Sequence, residues 1–409
     1  MVRTLPLGLK EALGLTLQRV EPLPPIRVEL LEGLNRALAE DICATVDSPS
    51  TDASMKDGYA VISSEVKDAK REDPVQLTLT DSLAAGESRK VRVLPGTAVR
   101  ILTGARIPSG ADAVVAEEFT EVESNTLTVY NNAEPGRNIL PKSSDVAAGQ
   151  IVAGKGSMVT PGLAGMLAAA GHSRIDVVRP PSVSIIATGD EVVAPGRPLP
   201  EGKLYASNMT TLGGWCRRYG MQIHMEVVED DFTAIHRMLG QQSETADAIV
   251  TSGGAWTGDR DLVAKVLDRL GWQQIFHRIR IGPGKAVGFG MLNHKPVFIL
   301  PGGPPSNLMG FLQIALPGLL KLAGHRRTGL PQANVRLASE LTGRYADWTQ
   351  FIFGILEIDR DFQVFRANKQ TSRLRSMAQA QAVVAIPEGE TVLPAGKVVA
   401  AQLLDEQGL

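Results

Sequence analysis

Three apolar, strand-like segments, each ending in a glycine turn that carries hydroxyl or acidic residues, constrain this chain more than any other feature. They are Val183-Ser-Ile-Ile-Ala-Thr-Gly-Asp-Glu191, Ala248-Ile-Val-Thr-Ser-Gly-Gly254 and Pro296-Val-Phe-Ile-Leu-Pro-Gly-Gly-Pro-Pro-Ser306. Each is flanked by helix-like sequence, so the simplest assembly is a parallel sheet with helices on its faces. In such a sheet the loops that leave the carboxyl ends of the strands gather at one edge, where ligands bind. Glycine there lets backbone N–H groups approach an anion, and nearby carboxylates can hold a divalent cation. The pattern points to an anionic, phosphorylated small molecule.

A chain of 409 residues exceeds what one hydrophobic core holds and predicts about two to four domains. The 42 basic and 44 acidic residues nearly cancel to a net charge of −2, so no global field favours nucleic acid or an anionic membrane. Cys43 and Cys216 stand far apart, with no paired-cysteine or Cys/His cluster, which argues against a disulfide framework or structural zinc. The longest apolar run, 308–322, is interrupted by Gln313, Pro317 and Lys321 and is too short to span a bilayer. The first residues lack the apolar core of a signal peptide. A cytoplasmic protein without nucleic-acid or membrane partners is expected.

Along the chain, residues 8–19 read as a helix with leucines at 9, 13 and 17 on one face, closed by a proline-rich connector. A strand at 26–30 and a helix at 34–40 follow. From 46 to 145 the texture changes to short alternating β segments (76–80, 98–102, 113–115, 126–130), which argues for a compact β-rich unit. A helix near 161–171 and a strand near 174–178 lead to Arg179-Pro-Pro181, read as a hinge. The α/β unit then places helices at 207–219, 231–241 with Asp231 as N-cap, 262–270, and 306–323 with a kink at Pro317. Strands resume at 334–337, 351–358, 363–366, 382–386 and 397–404, forming a small β domain.

Several motifs carry chemistry beside a plainer structural role. Asp57-Gly58 is a common turn dipeptide, and Thr103-Gly104 suits a hairpin connection as well as a ligand. Thr188-Gly189-Asp190-Glu191 puts two acids at the carboxyl end of a buried strand, where they can bind Mg²⁺ or polarise water rather than merely solubilise a loop. Residues 252–261 form a glycine loop that can cradle phosphate, in which Asp259 and Asp261 serve equally well as helix caps. Lys285 lies on the tight turn 282–285, and Pro301-Gly-Gly-Pro-Pro-Ser306 is a stiff turn into a helix. Gly343-Arg344 and Thr371-Ser-Arg-Leu-Arg-Ser376 bring cations and hydroxyls into the last region, as a solvated face or as a second anion site.

In register, these motifs resemble the molybdopterin molybdenumtransferase family, the MoeA and gephyrin proteins of molybdenum-cofactor synthesis. The marks are Ser-Met-Lys-Asp-Gly-Tyr-Ala at 54–60, Thr-Gly-Ala at 103–105, Ala-Asp-Ala-Val-Val at 111–115, Asp145 and Ala-Thr-Gly-Asp-Glu at 187–191. They continue with Tyr-Ala-Ser-Asn at 205–208, Ser-Gly-Gly at 252–254, Gly-Asp-Arg-Asp at 258–261, Pro-Gly-Lys at 283–285 and Leu-Pro-Gly at 300–302. The resemblance implies four domains in an elongated homodimer. These are a parallel-sheet α/β domain of 1–25 and 180–325, an extended mixed domain of 26–45 and 146–179, a β-rich domain of 46–145, and a C-terminal β barrel of 326–409. It implies an active cleft shared by the α/β domain of one subunit and the β-rich domain of the other.

The implied reaction inserts molybdate into adenylylated molybdopterin with the help of Mg²⁺ and releases AMP. By the same analogy Asp57, Asp190, Glu191 and Asp261 serve pyrophosphate cleavage, and Glu191, Asp231 and Asp261 hold the metal. Thr103, Thr188, Gly189, Ser252, Gly253, Gly254, Pro301, Gly302, Pro304 and Ser306 bind the pterin and its phosphates, while Lys285, Arg344 and Ser372 bind molybdate. The chain departs from the family at Gly282, Ala286, Gly303, Trp256 and Thr257, losing a lysine, a proline and an amide and adding bulk. A non-catalytic molybdopterin-binding carrier or scaffold is therefore the alternative, and an unrelated nucleotide-binding regulator a third class.

Overall fold

The three glycine-terminated segments are neighbouring strands of one sheet in the computed structural model, which describes residues 7–253, 262–359, 362–368 and 372–405. The sheet runs Gln222–Val228, Ser182–Thr188, Ala248–Ser252, Lys295–Leu300, Gly288–Leu292, Gln273–His277. The first four strands are parallel, and the last two add antiparallel to one edge. The central strands are buried and mostly apolar because both faces are covered, with Ser184, Thr188, Thr251 and Ser252 as buried polar exceptions. Alternate side chains go to opposite cores, as a pleated strand requires. Ile185, Val250 and Phe298 join one cluster with Leu212 and Phe311, whereas Ile186, Ile249 and Ile299 pack with Ile235, Leu239, Val263 and Val266.

The covering helices are Ser207–Arg218, Phe232–Thr245, Leu262–Arg269 and an interrupted one that starts at Pro304. Asp231 caps the second, its carboxylate accepting the Ala234 N–H at 2.8 Å. The interrupted helix corrects the expectation of one helix over 306–323 bent at Pro317. An α-helix at Pro304–Gly310 passes through a π turn, Phe311–Ala315, into Leu316–Leu322. Pro317 has no N–H for the carbonyl four residues back, and the wider turn just before it absorbs that mismatch. In the first helix, Leu9–Arg19, the most buried positions are Ala12 and Thr16, with the leucines flanking them.

The helix expected at 34–40 is absent. Asn35 takes a left-handed φ of 60°, and Ala37 and Leu38 form bridges to Met158 and Val177. Both side chains are fully buried, so pairing across the chain overrides a short helical pattern. The same region pairs Pro25–Glu29 antiparallel with Arg174–Val178 and packs the helix Pro161–Ala169, capped by Thr160, over that ribbon.

The β-rich region is a six-stranded sheet ordered Ala113–Ala116, Gly58–Val61, Thr97–Ile101, Val75–Leu83, Thr126–Val129, Thr120–Glu123. Near the C-terminus, Thr349–Asp359, Phe362–Ala367, Gln332–Leu337, Val398–Leu403 and Ala382–Ile386 pair in turn, and the last returns to the first. They form a closed five-stranded barrel, so none of the five is left as an open edge. The strand Ile279–Gly282 pairs parallel with the first barrel strand, setting Gly282 opposite Gln350. Among the described residues no helix is long and apolar enough to cross a membrane.

The segment read as a hinge at 179–181 is anchored. Both terminal nitrogens of Arg179 donate to Asp247, at 2.8 and 2.7 Å, and the Ser182 N–H adds a third bond at 2.8 Å. Burial alone would raise the Asp247 carboxyl, but these bonds outweigh it and hold the pKa below the ordinary value. The stabilisation is complete above the ordinary carboxylate pKa and is lost as pH falls through the lower folded value. Asp247→Asn should destabilise the protein by about 1–3 kcal/mol at neutral pH. Denaturant titrations at several pH values should show the gap from wild type closing below pH ~4.

Candidate functional site

Strand register brings the glycine turns together. Ala187 lies opposite Ser252, and Ser252 opposite Leu300, so Thr188, Gly253 and Pro301 leave the sheet side by side. The Gly253 N–H bonds to the Leu300 carbonyl at 3.0 Å. Gly253 has a φ of +106°, and a Cβ there would press on the Thr188 carbonyl oxygen, so only glycine allows this approach. The hydroxyls of Thr188 and Thr251 are buried beneath the edge without a hydrogen-bond partner.

Two asparagines to which the motif reading gave no role tie the turns to one another. Buried Asn307 donates to Ser252 Oγ at 3.0 Å and to the Pro301 carbonyl at 2.9 Å. Asn208, at the start of the first covering helix, donates to the same Oγ at 3.3 Å and to the Gly302 carbonyl at 2.8 Å. Ser252 is thus fixed as the junction of two loops. Pro304 begins the following helix, with Ser306 inside it. Asn307 follows directly on the expected site residue Ser306, but nothing in its spacing signalled a clamp. Gly254, Trp256, Thr257, Asp259 and Asp261 lie outside the described residues.

The acids sit at one end of this edge. Asp190 Oδ1 accepts the Asp230 N–H at 3.2 Å, and Glu191 folds back over Gly189. Burial, together with the charges of Asp190 and Glu191, raises the Asp230 carboxyl, so Asp230 joins the expected pair as a third member. Asp231, expected to hold metal, is engaged as the helix cap. Among the described residues no group of three or more potential ligands is arranged to hold a metal. The hard oxygen donors still suit Mg²⁺, which binds through one or two carboxylates plus substrate phosphates. Beside the acids, a groove of about 620 Å³ is lined by Gly189, Asp190, Arg197, Lys203, Met225 and Glu229, among others.

The expected molybdate residues lie where the sheet domain meets the barrel. Lys285 is exposed on the turn after Gly282, its ammonium 5.3 Å from the centre of the Trp348 ring. Arg344 is exposed on a loop organised by buried Gln350, which accepts the Arg344 N–H at 2.6 Å and donates to the Tyr345 carbonyl at 2.9 Å. Ser372 caps the short helix Arg373–Ala378, which packs against the helix Pro304–Gly310. Asp57 and Thr103 form a pair of their own in the β-rich region. Asp57 accepts from the Thr103 N–H at 2.6 Å and from its hydroxyl at 2.8 Å, and these bonds lower its pKa. Neither bond reaches the α/β sheet edge.

Three family models match in chain order: the MoeA N-terminal region (domain I and II) over 7–171, a probable molybdopterin binding domain over 184–321, and the MoeA C-terminal region (domain IV) over 335–404. The chain is 31% identical over 378 residues to molybdopterin molybdenumtransferase 2 of Mycobacterium tuberculosis, covering 91% of this chain and 93% of the relative. It is 31% identical over 320 residues to the molybdopterin molybdenumtransferase of Staphylococcus aureus, covering 78% and 76% respectively. A solved molybdopterin biosynthesis MoeA protein from Pyrococcus horikoshii superposes with a TM-score of 0.84 at 28% identity, covering 97% of this chain and 99% of that one.

Asn307→Ala takes the amide donor from the Pro301 carbonyl and leaves Ser252 Oγ with Asn208 alone, and should lower stability by about 1–3 kcal/mol in denaturant titrations. Asp230→Asn removes a carboxylate whose raised pKa makes folding less favourable as pH climbs through it. In chelator its melting temperature should rise slightly above wild type, and added Mg²⁺ should shift it less. An unchanged Mg²⁺ response would separate Asp230 from any cation site.

Proposed function

The chain belongs to the MoeA family of molybdopterin molybdenumtransferases, and we propose that it inserts molybdate into adenylylated molybdopterin with Mg²⁺-dependent release of AMP. As a member it is a transferase of molybdenum-cofactor biosynthesis. The observation that carries the finer reading is the alignment of the 188–189, 252–253 and 301–306 turns along one sheet edge, flanked by acids at one end.

Each group has a role that follows from its chemistry. Backbone N–H groups and the Ser252 hydroxyl hold the pterin phosphates at the glycine turns. Asp190 and Glu191 hold Mg²⁺, which when bound supplies positive charge to the pyrophosphate. Glu191 orients the water that attacks the phosphoanhydride, and AMP leaves. Lys285 and Arg344, with the Ser372 hydroxyl, hold molybdate near the dithiolene, offsetting the repulsion between two anions. In a homodimer the partner's β-rich region would bring its Asp57–Thr103 pair to complete the cleft. A non-catalytic carrier is the competing reading, because Gly282 and Gly303 stand where the family resemblance implies a cation and an amide.

Purified protein given adenylylated molybdopterin should release AMP only with both molybdate and Mg²⁺ present. Glu191→Ala should cut that rate by about 100-fold or more while the circular dichroism spectrum stays unchanged. Tight binding of the pterin nucleotide without AMP release would make the protein a carrier.

A further inference from the structure

Trp348 lies outside every motif that marks the family, yet it touches the turn that carries Lys285. The Lys285 ammonium lies 5.3 Å from the centre of its ring, within the range of a cation–π contact. The ring also covers Gly282, where an added Cβ would lie 3.7 Å from Trp348 Cε3. A larger residue at 282 would compete for that surface.

The ring is held from several directions. Tyr345 packs on it, with ring centres 5.2 Å apart. The Arg280 guanidinium donates to the Asp347 carbonyl at 2.9 Å, and the Gly389 N–H bonds to the Ala346 carbonyl at 2.6 Å. On the other side Gly282 pairs with Gln350, whose amide organises residues 344 and 345. Both the lysine turn and the ring are therefore fixed to the same pair of strands.

We propose that Trp348 is a positioning residue that parks the Lys285 ammonium on its ring face and so preorganises it for an oxyanion. This rests on the reading of Lys285 as a molybdate ligand. An ammonium has three N–H donors. The ring face engages one side of it and leaves donors free to point into solvent toward an anion. Lysine otherwise loses considerable rotamer freedom on binding. Prior placement on a rigid ring reduces that loss.

Two measurements test the idea, and the first does so separately from the transferase reading. Reductive ¹³C-methylation keeps the lysine charge. The methyl signal assigned to Lys285, identified by its loss in Lys285→Arg, should be displaced upfield by the ring current and return to the ordinary position in Trp348→Leu. An undisplaced signal in wild type overturns the proposal whatever the protein catalyses. In the AMP-release assay, Trp348→Leu should raise the KM for molybdate about 2- to 30-fold with a much smaller change in kcat. Trp348→Phe should fall between the two proteins. An unchanged or lowered KM, or equal losses in kcat and thermal stability without a KM effect, would reduce Trp348 to a packing residue and overturn the proposal. A displaced signal with no molybdate-dependent turnover would instead support the placement and sink the transferase reading.

Discussion

The glycine-turn edge of the candidate site depends on the register of three parallel strands. Because Ala187, Ser252 and Leu300 stand opposite one another, the glycine turns that follow them open at the same height. Side-chain direction in a strand has a period of two, so a shift of one residue in any strand would send its core side chains to the wrong face. The apolar sets on both faces therefore lock the register, and the glycine-turn edge inherits its precision from the two cores. Asn307 and Asn208 then join the loops at a single hydroxyl, Ser252 Oγ.

A second joint serves the other half of the site. The sheet domain and the barrel share part of one core, in which Phe351, Val383 and Leu404 cluster with Ile185, Val250 and Phe298, and their joint sets Lys285 beside Trp348. The pairing of Ile279–Gly282 with the first barrel strand does this through backbone hydrogen bonds. Gln350, buried at that joint, gives its amide to the arginine loop. The β-rich region contributes differently, since its Asp57–Thr103 pair is built by hydrogen bonds within that region.

The motifs with turn chemistry were legible because glycine, hydroxyl and acid residues after an apolar run admit few structures. The strands and covering helices were legible for the same reason, with most ends within a few residues. Two local readings failed where distant pairing or covalent geometry intervened. Residues 34–40 carry a plausible helical pattern, but Ala37 and Leu38 are claimed by strand-like bridges to Met158 and Val177. Around Pro317 the proline was correctly read as an irregularity, although the distortion lies upstream, in a π turn. Asp230, Asn307, Gln350 and Trp348 gave no signal, because what matters about each is which distant group it faces.

By itself the sequence determined a parallel α/β sheet, a β-rich region and a terminal β domain, because hydrophobic period and turn residues act over a few neighbouring positions. It also determined the family, through many short motifs kept in order. The tertiary structure alone decided that Ser252 is clamped by two asparagines, that Asp190 and Glu191 gain Asp230 as a neighbour, and that Lys285 rests on an aromatic ring. Such contacts join residues tens of positions apart. No local preference encodes them; they follow only once every strand has found its partner.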